Sequence, residues 1–225
     1  MSLPKACIFD LDGVIVDTVQ AHYTAWKAMA DEVGVPFDEK ENENLKGVSR
    51  TNSMKHILSL GNIQKTEEEI KAYTKRKNAI YVDIISSMTP ADILPGVLDL
   101  IDKLKANDIG MAIGSASKNT PTILKCVGLD KIFKVIVDGN QITKSKPDPE
   151  VFLKGAEQLG FTPEECVVLE DAKSGVKAAK AGGMKCIGVG DPKVLAAADV
   201  VVSDLTTIDI DFLKALYSNE ELHKA

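Results

Sequence analysis

With 225 residues, 44% of them hydrophobic and 27% charged, the chain can bury a full core, which excludes wholesale disorder. That length allows one large domain, or one domain carrying a smaller insert. A formal net charge of −6 and the absence of any long apolar run exclude the basic footprint of a nucleic-acid binder and a membrane span.

The first predicted element is a short buried strand over 5–10 (KACIFD), ending in a carboxylate. From about Thr18 to Thr89 the periodicity is helical throughout (Ala21, Ala25, Met29, Val33; Met54, Ile57, Leu58; Ile70, Tyr73, Ile80), with no strand. A parallel crossover needs only about a dozen residues, so this stretch predicts a helical insert. Pro90, Pro95 and Gly96 mark the return to a sheet. A helix with Val97, Leu98, Ile101 and Leu104 on one face follows, then a strand over 109–114 and another over 133–137. A helix presenting Val151, Phe152, Gly155 and Leu159 leads to a strand at 166–169, an alanine-rich helix at 172–182, and strands at 185–189 and 199–202. Near-continuous apolar strands alternating with helices predict an α/β fold: a doubly wound, mostly parallel, Rossmann-like sheet with an inserted all-helical cap. The expected boundaries are residues 1–17 and 91–225 for the catalytic core and 18–90 for the cap. No internal repeat or low-complexity segment interrupts this pattern.

Ligands of open parallel sheets bind beyond the carboxyl ends of the strands. Asp10-Leu11-Asp12-Gly13 stands at such an end, and by itself is equally well a plain turn, since Asp-Gly is a common turn dipeptide. Ser115 ends the next strand, Lys146 lies in SKPDPE before a helix, and Glu170-Asp171 end the strand CVVL. Ser115 and Asp171 also suit helix caps, and Lys146 suits a solvated loop. Adjacent carboxylates at a strand end repel, however, and a hard cation such as Mg²⁺, bound through oxygens, removes that conflict. Together these groups describe a phosphoryl-transfer site. One carboxylate attacks phosphorus, a second two residues on moves the proton, and metal, lysine and hydroxyl neutralise the transferring group.

DLDGVIVDT at 10–18, Ser115, Lys146 within SKPDP, and LEDAKSG at 169–175 resemble, in order and across nearly the whole chain, the motifs of the haloacid dehalogenase superfamily. The resemblance implies Asp10 as nucleophile, Asp12 as acid/base, and Ser115 and Lys146 as phosphate ligands. It implies Mg²⁺ held by the Asp10 side chain, the Asp12 backbone carbonyl, Glu170 and Asp171. The second aspartate speaks against dehalogenation, because members that cleave carbon–halogen bonds lack that acid.

Most of that superfamily are phosphatases, so the insert must settle the reaction. Lys46, Gly47, Val48, Ser49 and Arg50 form a loop that is either solvated punctuation or a grip for a second phosphate, whose oxygens a guanidinium can hold two at a time. With arginine supplying only Arg50 and Arg76 of 27 basic residues, each is worth asking about. The loop, with Thr18, His22, Trp26, the Arg76-Lys77-Asn78 segment and the run Ser115, Ala116, Ser117, Lys118, Asn119, resembles the sugar-phosphate mutases of the superfamily. That implies interconversion of β-D-glucose 1-phosphate and glucose 6-phosphate through an aspartyl phosphate, with β-glucose 1,6-bisphosphate as activating intermediate. It gives Thr18, His22 and Lys77 the coupling of cap closure to Asp12, and the loop, Trp26 and 115–119 the substrate contacts. Read from the sequence alone, His22 is as well a packed or surface histidine, four residues from Thr18 on one helix face, and Trp26 is cap core first. His56 and His223 take no role, and Met54, Met88 and Met111 are core filler. Ser174 departs from the alanine often found in the family.

The alternative is a Mg-dependent phosphatase of a small phosphorylated sugar or phosphoglycolate, with water as acceptor. A purely binding module is disfavoured because every acid and Lys146 are present. Cys7, Cys126, Cys166 and Cys186 are too scattered for a zinc site or disulfide framework, which fits a reducing cytoplasm. MSLPKACIFD carries no secretory signal. The expected protein is cytoplasmic and monomeric, takes a phosphorylated sugar, and touches neither nucleic acid nor membrane.

Overall fold

A computed structural model describes residues 3–218; His223 lies outside them. Six parallel strands form the sheet: β1 (Ala6–Phe9), β2 (Gly110–Gly114), β3 (Val135–Val137), β4 (Cys166–Glu170), β5 (Lys185–Val189) and β6 (Val200–Val202). Their spatial order, β3-β2-β1-β4-β5-β6, is that of a doubly wound fold whose direction of winding reverses beside β1. The expected strands are all present: β1, β2, β3 and β6 are shorter than expected, β5 matches, and β4 runs one residue further, to Glu170. Phe133 lies ahead of β3 because its ring turns into the core, edge-on to Phe9 with centroids 5.8 Å apart.

Strand side chains alternate between faces, and the two faces build separate cores. Cys7, Phe9, Val167 and Leu169 point into one. It is covered by α5 (Val97–Ala106), α6 (Thr120–Cys126) and α9 (Ile210–Ser218). Ala6, Ile8, Cys166 and Val168 point into the other, under α7 (Glu150–Leu159) and α8 (Lys173–Ala181). One expectation fails on α5: Leu98 is 52% exposed, while Val97, Leu100, Ile101 and Leu104 are buried. Those four follow the i, i+3, i+4, i+7 spacing of one helix face, and Leu98 sits about 100° away from Val97.

The insert between β1 and β2 is all helical: α1 (Val19–Glu32), α2 (Glu39–Glu43), α3 (Arg50–Leu60) and α4 (Glu67–Ile85). A capping box starts α4, in which Glu69 N–H donates to Thr66 Oγ1 and Thr66 N–H donates to Glu69. Trp26, Met29, Met54, Ile57, Leu58 and Ile70 form a third core of the insert's own. The two chain crossings into it are tied together, since Val16 bridges Ile93 antiparallel and Leu94 N–H donates to Ile15 O at 2.9 Å. No described helix is long and apolar enough to cross a membrane.

Candidate active site

β1 delivers Asp10 to the reversal point of the sheet, and the Asp10 N–H prolongs the ladder by donating to Leu169 O at 2.9 Å. The chain then turns sharply at Gly13, with φ +83°. A Cβ there would fall 2.2 Å from Asp171 Oδ2, so only glycine lets the two acidic strand ends approach. Asp12, just before the turn, accepts the Thr18 hydroxyl proton and lies 3.4 Å from the Tyr81 hydroxyl and 3.9 Å from His22 Nε2. Thr18 stands at the helix N-cap position of α1 but spends its hydroxyl on Asp12, not on the helix. Burial, reinforced by the Asp10 charge and opposed by the Thr18 hydrogen bond, pushes Asp12 up to about 6. That value suits an acid/base group working near neutral pH.

Lys146 is buried among these acids, donating to Asp10 Oδ1 at 2.6 Å and to Glu170 Oε2 at 2.8 Å. Burial works against its charge, but the Asp10 and Glu170 carboxylates outweigh it and raise its pKa. The loop ahead of it is anchored by Glu150, which accepts from the Thr143 and Lys144 N–H groups at 3.0 and 2.7 Å. Glu170 Oε1 accepts from Ala172 N–H at 2.9 Å. Gly175, one turn on, leaves room for that side chain, as a Cβ there would fall 1.9 Å from Glu170 Oε2.

Carboxylate oxygens of Asp10, Glu170 and Asp171 lie within 4.8 Å of one another. Burial and the charge of Asp10 push both Glu170 and Asp171 up, the signature of crowded carboxylates short of positive charge. An all-oxygen donor set of this density fits a hard divalent cation such as Mg²⁺. On the insert side, Lys46 Nζ reaches Asp171 Oδ2 at 3.1 Å and Glu43 Oε2 at 3.0 Å.

Ser115, at the end of β2, accepts from Ser117 N–H at 3.1 Å, which leaves its own hydroxyl proton to donate. Asn119 Nδ2 donates to Asn78 Oδ1 at 2.9 Å and so ties the core loop 115–119 to α4. Across the cleft, Ser49 caps α3 by accepting from Asn52 N–H at 3.3 Å, and Arg50 opens that helix. Burial lowers the Arg50 pKa, and among the described residues it makes no ion pair with a carboxylate. His22 Nδ1 lies 3.0 Å from Lys77 Nζ. Burial, aided by Arg50, brings Lys77 down to about 7, and burial with the Lys77 charge holds His22 well below its ordinary value. The Lys77 amine also sits 4.8 Å from the Trp26 ring and 4.3 Å from the Tyr81 ring.

All the candidate residues except Glu170 line one cleft of about 410 Å³; Glu170 stands behind Lys146. Trp26 serves both as insert core and as cleft wall. Arg76 does not join them: it points outward to Glu32 at 2.7 Å, stacked on Tyr73. His56 pairs with Glu41 at 3.1 Å. Two contributors escaped the sequence. Tyr81, buried with its hydroxyl toward Asp12, reads in sequence as one more apolar helix position, although its place four residues after Lys77 puts both on one face. Ser174 donates to the Lys46 carbonyl at 3.0 Å, whereas in sequence it reads as a small departure from alanine that touches no acid or phosphate ligand.

A strand-end aspartate beside a buried ammonium and two further acids, beneath a helical insert, defines a capped α/β enzyme of the phosphotransferase or hydrolase class. The chain belongs to the haloacid dehalogenase-like hydrolase family, whose profile matches residues 7–189. It is 41% identical over 211 residues to the β-phosphoglucomutase of Bacillus subtilis, covering 93% of each chain. It is 30% identical over 205 residues to a phosphorylated carbohydrates phosphatase of Thermotoga maritima, covering 88% of this chain and 92% of that one. The crystal structure of β-phosphoglucomutase from Clostridium difficile superposes with a TM-score of 0.92 at 38% identity, over 96% of this chain and 98% of that one.

Proposed function

We propose that the chain is a β-phosphoglucomutase, interconverting β-D-glucose 1-phosphate and D-glucose 6-phosphate. Asp10 attacks phosphorus and forms an acyl phosphate as the bond to the sugar oxygen breaks; Asp12 gives that oxygen its proton. In the reverse sense Asp12 takes the proton of a sugar hydroxyl as that oxygen attacks the aspartyl phosphate. β-Glucose 1,6-bisphosphate then turns over in the cleft and returns a phosphoryl group to Asp10 from its other end. Mg²⁺, held by Asp10, Glu170, Asp171 and the Asp12 carbonyl, supplies charge neutralisation for the transferring group when bound. Ser115 and Lys146 hold the same group from the protein side.

The observation that carries this reading is Arg50. Its guanidinium lines the cleft that Asp10 and Asp12 line, half-buried and with no carboxylate to hold it among the described residues. A monophosphate hydrolase needs no second anion grip; an enzyme that holds a bisphosphate does. Residues 18–90 act as a cap on a core of 1–17 and 91–225, with Thr18, His22 and Lys77 coupling its closure to Asp12. Closure over both phosphates excludes water, which separates transfer to sugar from hydrolysis. The enzyme works as a cytoplasmic monomer.

The test supplies Mg²⁺, β-glucose 1-phosphate and a trace of β-glucose 1,6-bisphosphate, and follows glucose 6-phosphate and inorganic phosphate together. Bisphosphate-dependent glucose 6-phosphate with little free phosphate is expected. Free phosphate as the main product would replace this reading with the phosphatase one, which the similarity to the Thermotoga phosphatase favours.

A further inference from the structure

Three carboxylates crowd the end of the sheet, and two ammonium groups meet them. Lys146 serves Asp10 and Glu170, at 2.6 and 2.8 Å. Asp171 is met by an insert residue: Lys46, 125 positions earlier, brings Nζ to 3.1 Å from Oδ2. The loop carrying Lys46 is docked on the core by a second bond, from the Ser174 hydroxyl to the Lys46 carbonyl at 3.0 Å. Gly47 permits that approach, with φ +70° and no Cβ to meet Ser174 Oγ at 2.3 Å. The amine is thus held between Asp171 and Glu43 Oε2, the latter at 3.0 Å, and is not a lysine sweeping through solvent. The Lys46 side chain is 25% exposed and that of Asp171 10%, so salt screens the pair only in part.

Counting charges shows what the contact does. With the three carboxylates ionised and Lys146 and Lys46 both engaged, they keep at least one uncompensated negative charge, since Glu43 shares the Lys46 ammonium. With Lys46 withdrawn they keep two, the charge a divalent cation cancels. Lys46 and such a cation are alternatives at Asp171.

We propose that Lys46 is a built-in rival of the metal: while its loop is docked, the amine holds Asp171, and it must withdraw before a divalent cation binds at full affinity. This rests on Asp10, Glu170 and Asp171 being the cation site, and not on the identity of the sugar. An anion bound at the Lys46–Arg50 loop draws the same amine away from Asp171, so occupancy of the cap's anion site and of the cation site reinforce one another.

Mn²⁺ alone is the probe, with free ion read by electron paramagnetic resonance and no substrate present. An apparent Kd is the intrinsic value divided by the fraction of molecules able to bind. If the docked state holds most of the population, Lys46→Met tightens Mn²⁺ binding by about 3- to 10-fold. Ser174→Ala, which loosens the loop and keeps the charge, tightens it by less. Asp171→Asn serves as the site control. Wild type binding Mn²⁺ more tightly than Asp171→Asn, with Lys46→Met and Ser174→Ala unchanged or weaker than wild type, overturns the rivalry alone. Wild type and Asp171→Asn binding alike overturns the cation site and the rivalry with it.

Discussion

Gly175→Ala sets a local gain against a loss at the site, and the structure decides which wins. Gly175 lies in the first turn of α8, where alanine stabilises a helix by about 1 kcal/mol relative to glycine. The new Cβ, however, would fall 1.9 Å from Glu170 Oε2 and 2.0 Å from its carboxyl carbon. Glu170 is fully buried, with Lys146 on one oxygen at 2.8 Å and Ala172 N–H on the other at 2.9 Å. Moving it sacrifices both bonds, each worth about 1.5–3 kcal/mol because the acceptor is charged. The net is a loss of about 2–5 kcal/mol, or roughly 6–15 °C in melting temperature for a chain of this size. Lys146 then turns wholly to Asp10, and one carboxylate leaves the cation cluster. Thermal unfolding and Mn²⁺ titration of the same sample measure both consequences. A variant that melts at or above the wild-type temperature and binds Mn²⁺ normally would refute the assignment of Gly175 as the space for Glu170.

Arg50→Ala is expected to lower bisphosphate-dependent kcat/KM by about 10²-fold, the loss of a bidentate charged grip worth about 3 kcal/mol, with Mn²⁺ affinity unchanged. Lys77→Met removes a buried amine whose charged form the fold disfavours. The folded pKa of about 7 lies below the ordinary 10.5, so the wild type bears the full cost below pH 7 and sheds it as pH rises toward 10.5. Urea midpoints should therefore favour the variant most below pH 7 and converge near pH 10, while its mutase turnover falls. Ile57→Ala, at a fully buried position of the insert core, is expected to cost about 2–5 kcal/mol in urea unfolding. A loss below 1 kcal/mol would mean that the insert core is loosely packed.

The core half of the site was legible because its acids and Ser115 are tied to strand ends, while Lys146, in the loop before α7, is marked by SKPDP. Apolar runs that stop at Asp10, Ser115 and Glu170 fix their own position, since a parallel sheet gathers its carboxyl ends at one edge. The insert half was legible only in kind. Periodicity marks a helix but leaves its rotation to packing, as happens even on α5 of the core, where Leu98 faces solvent while its neighbour Val97 is buried. The same rotation sends Arg76 outward to Glu32 and Lys77 inward to His22, although the two are adjacent in sequence. Lys46 was foreseen as an anion grip; that it first grips Asp171 depends on how the insert sits on the core, which no local spacing encodes. In the proposed function the core acids and Lys146 serve phosphoryl transfer to any acceptor. On the proposed function, the choice between sugar and water as acceptor falls to the insert, through Arg50 and the contacts that join the two halves, Asn119–Asn78, Ser174–Lys46 and Lys46–Asp171. Asn78→Ala and Ser174→Ala, which loosen those contacts without touching an acid, are expected to shift the ratio of glucose 6-phosphate to free phosphate while leaving aspartyl-phosphate formation in place.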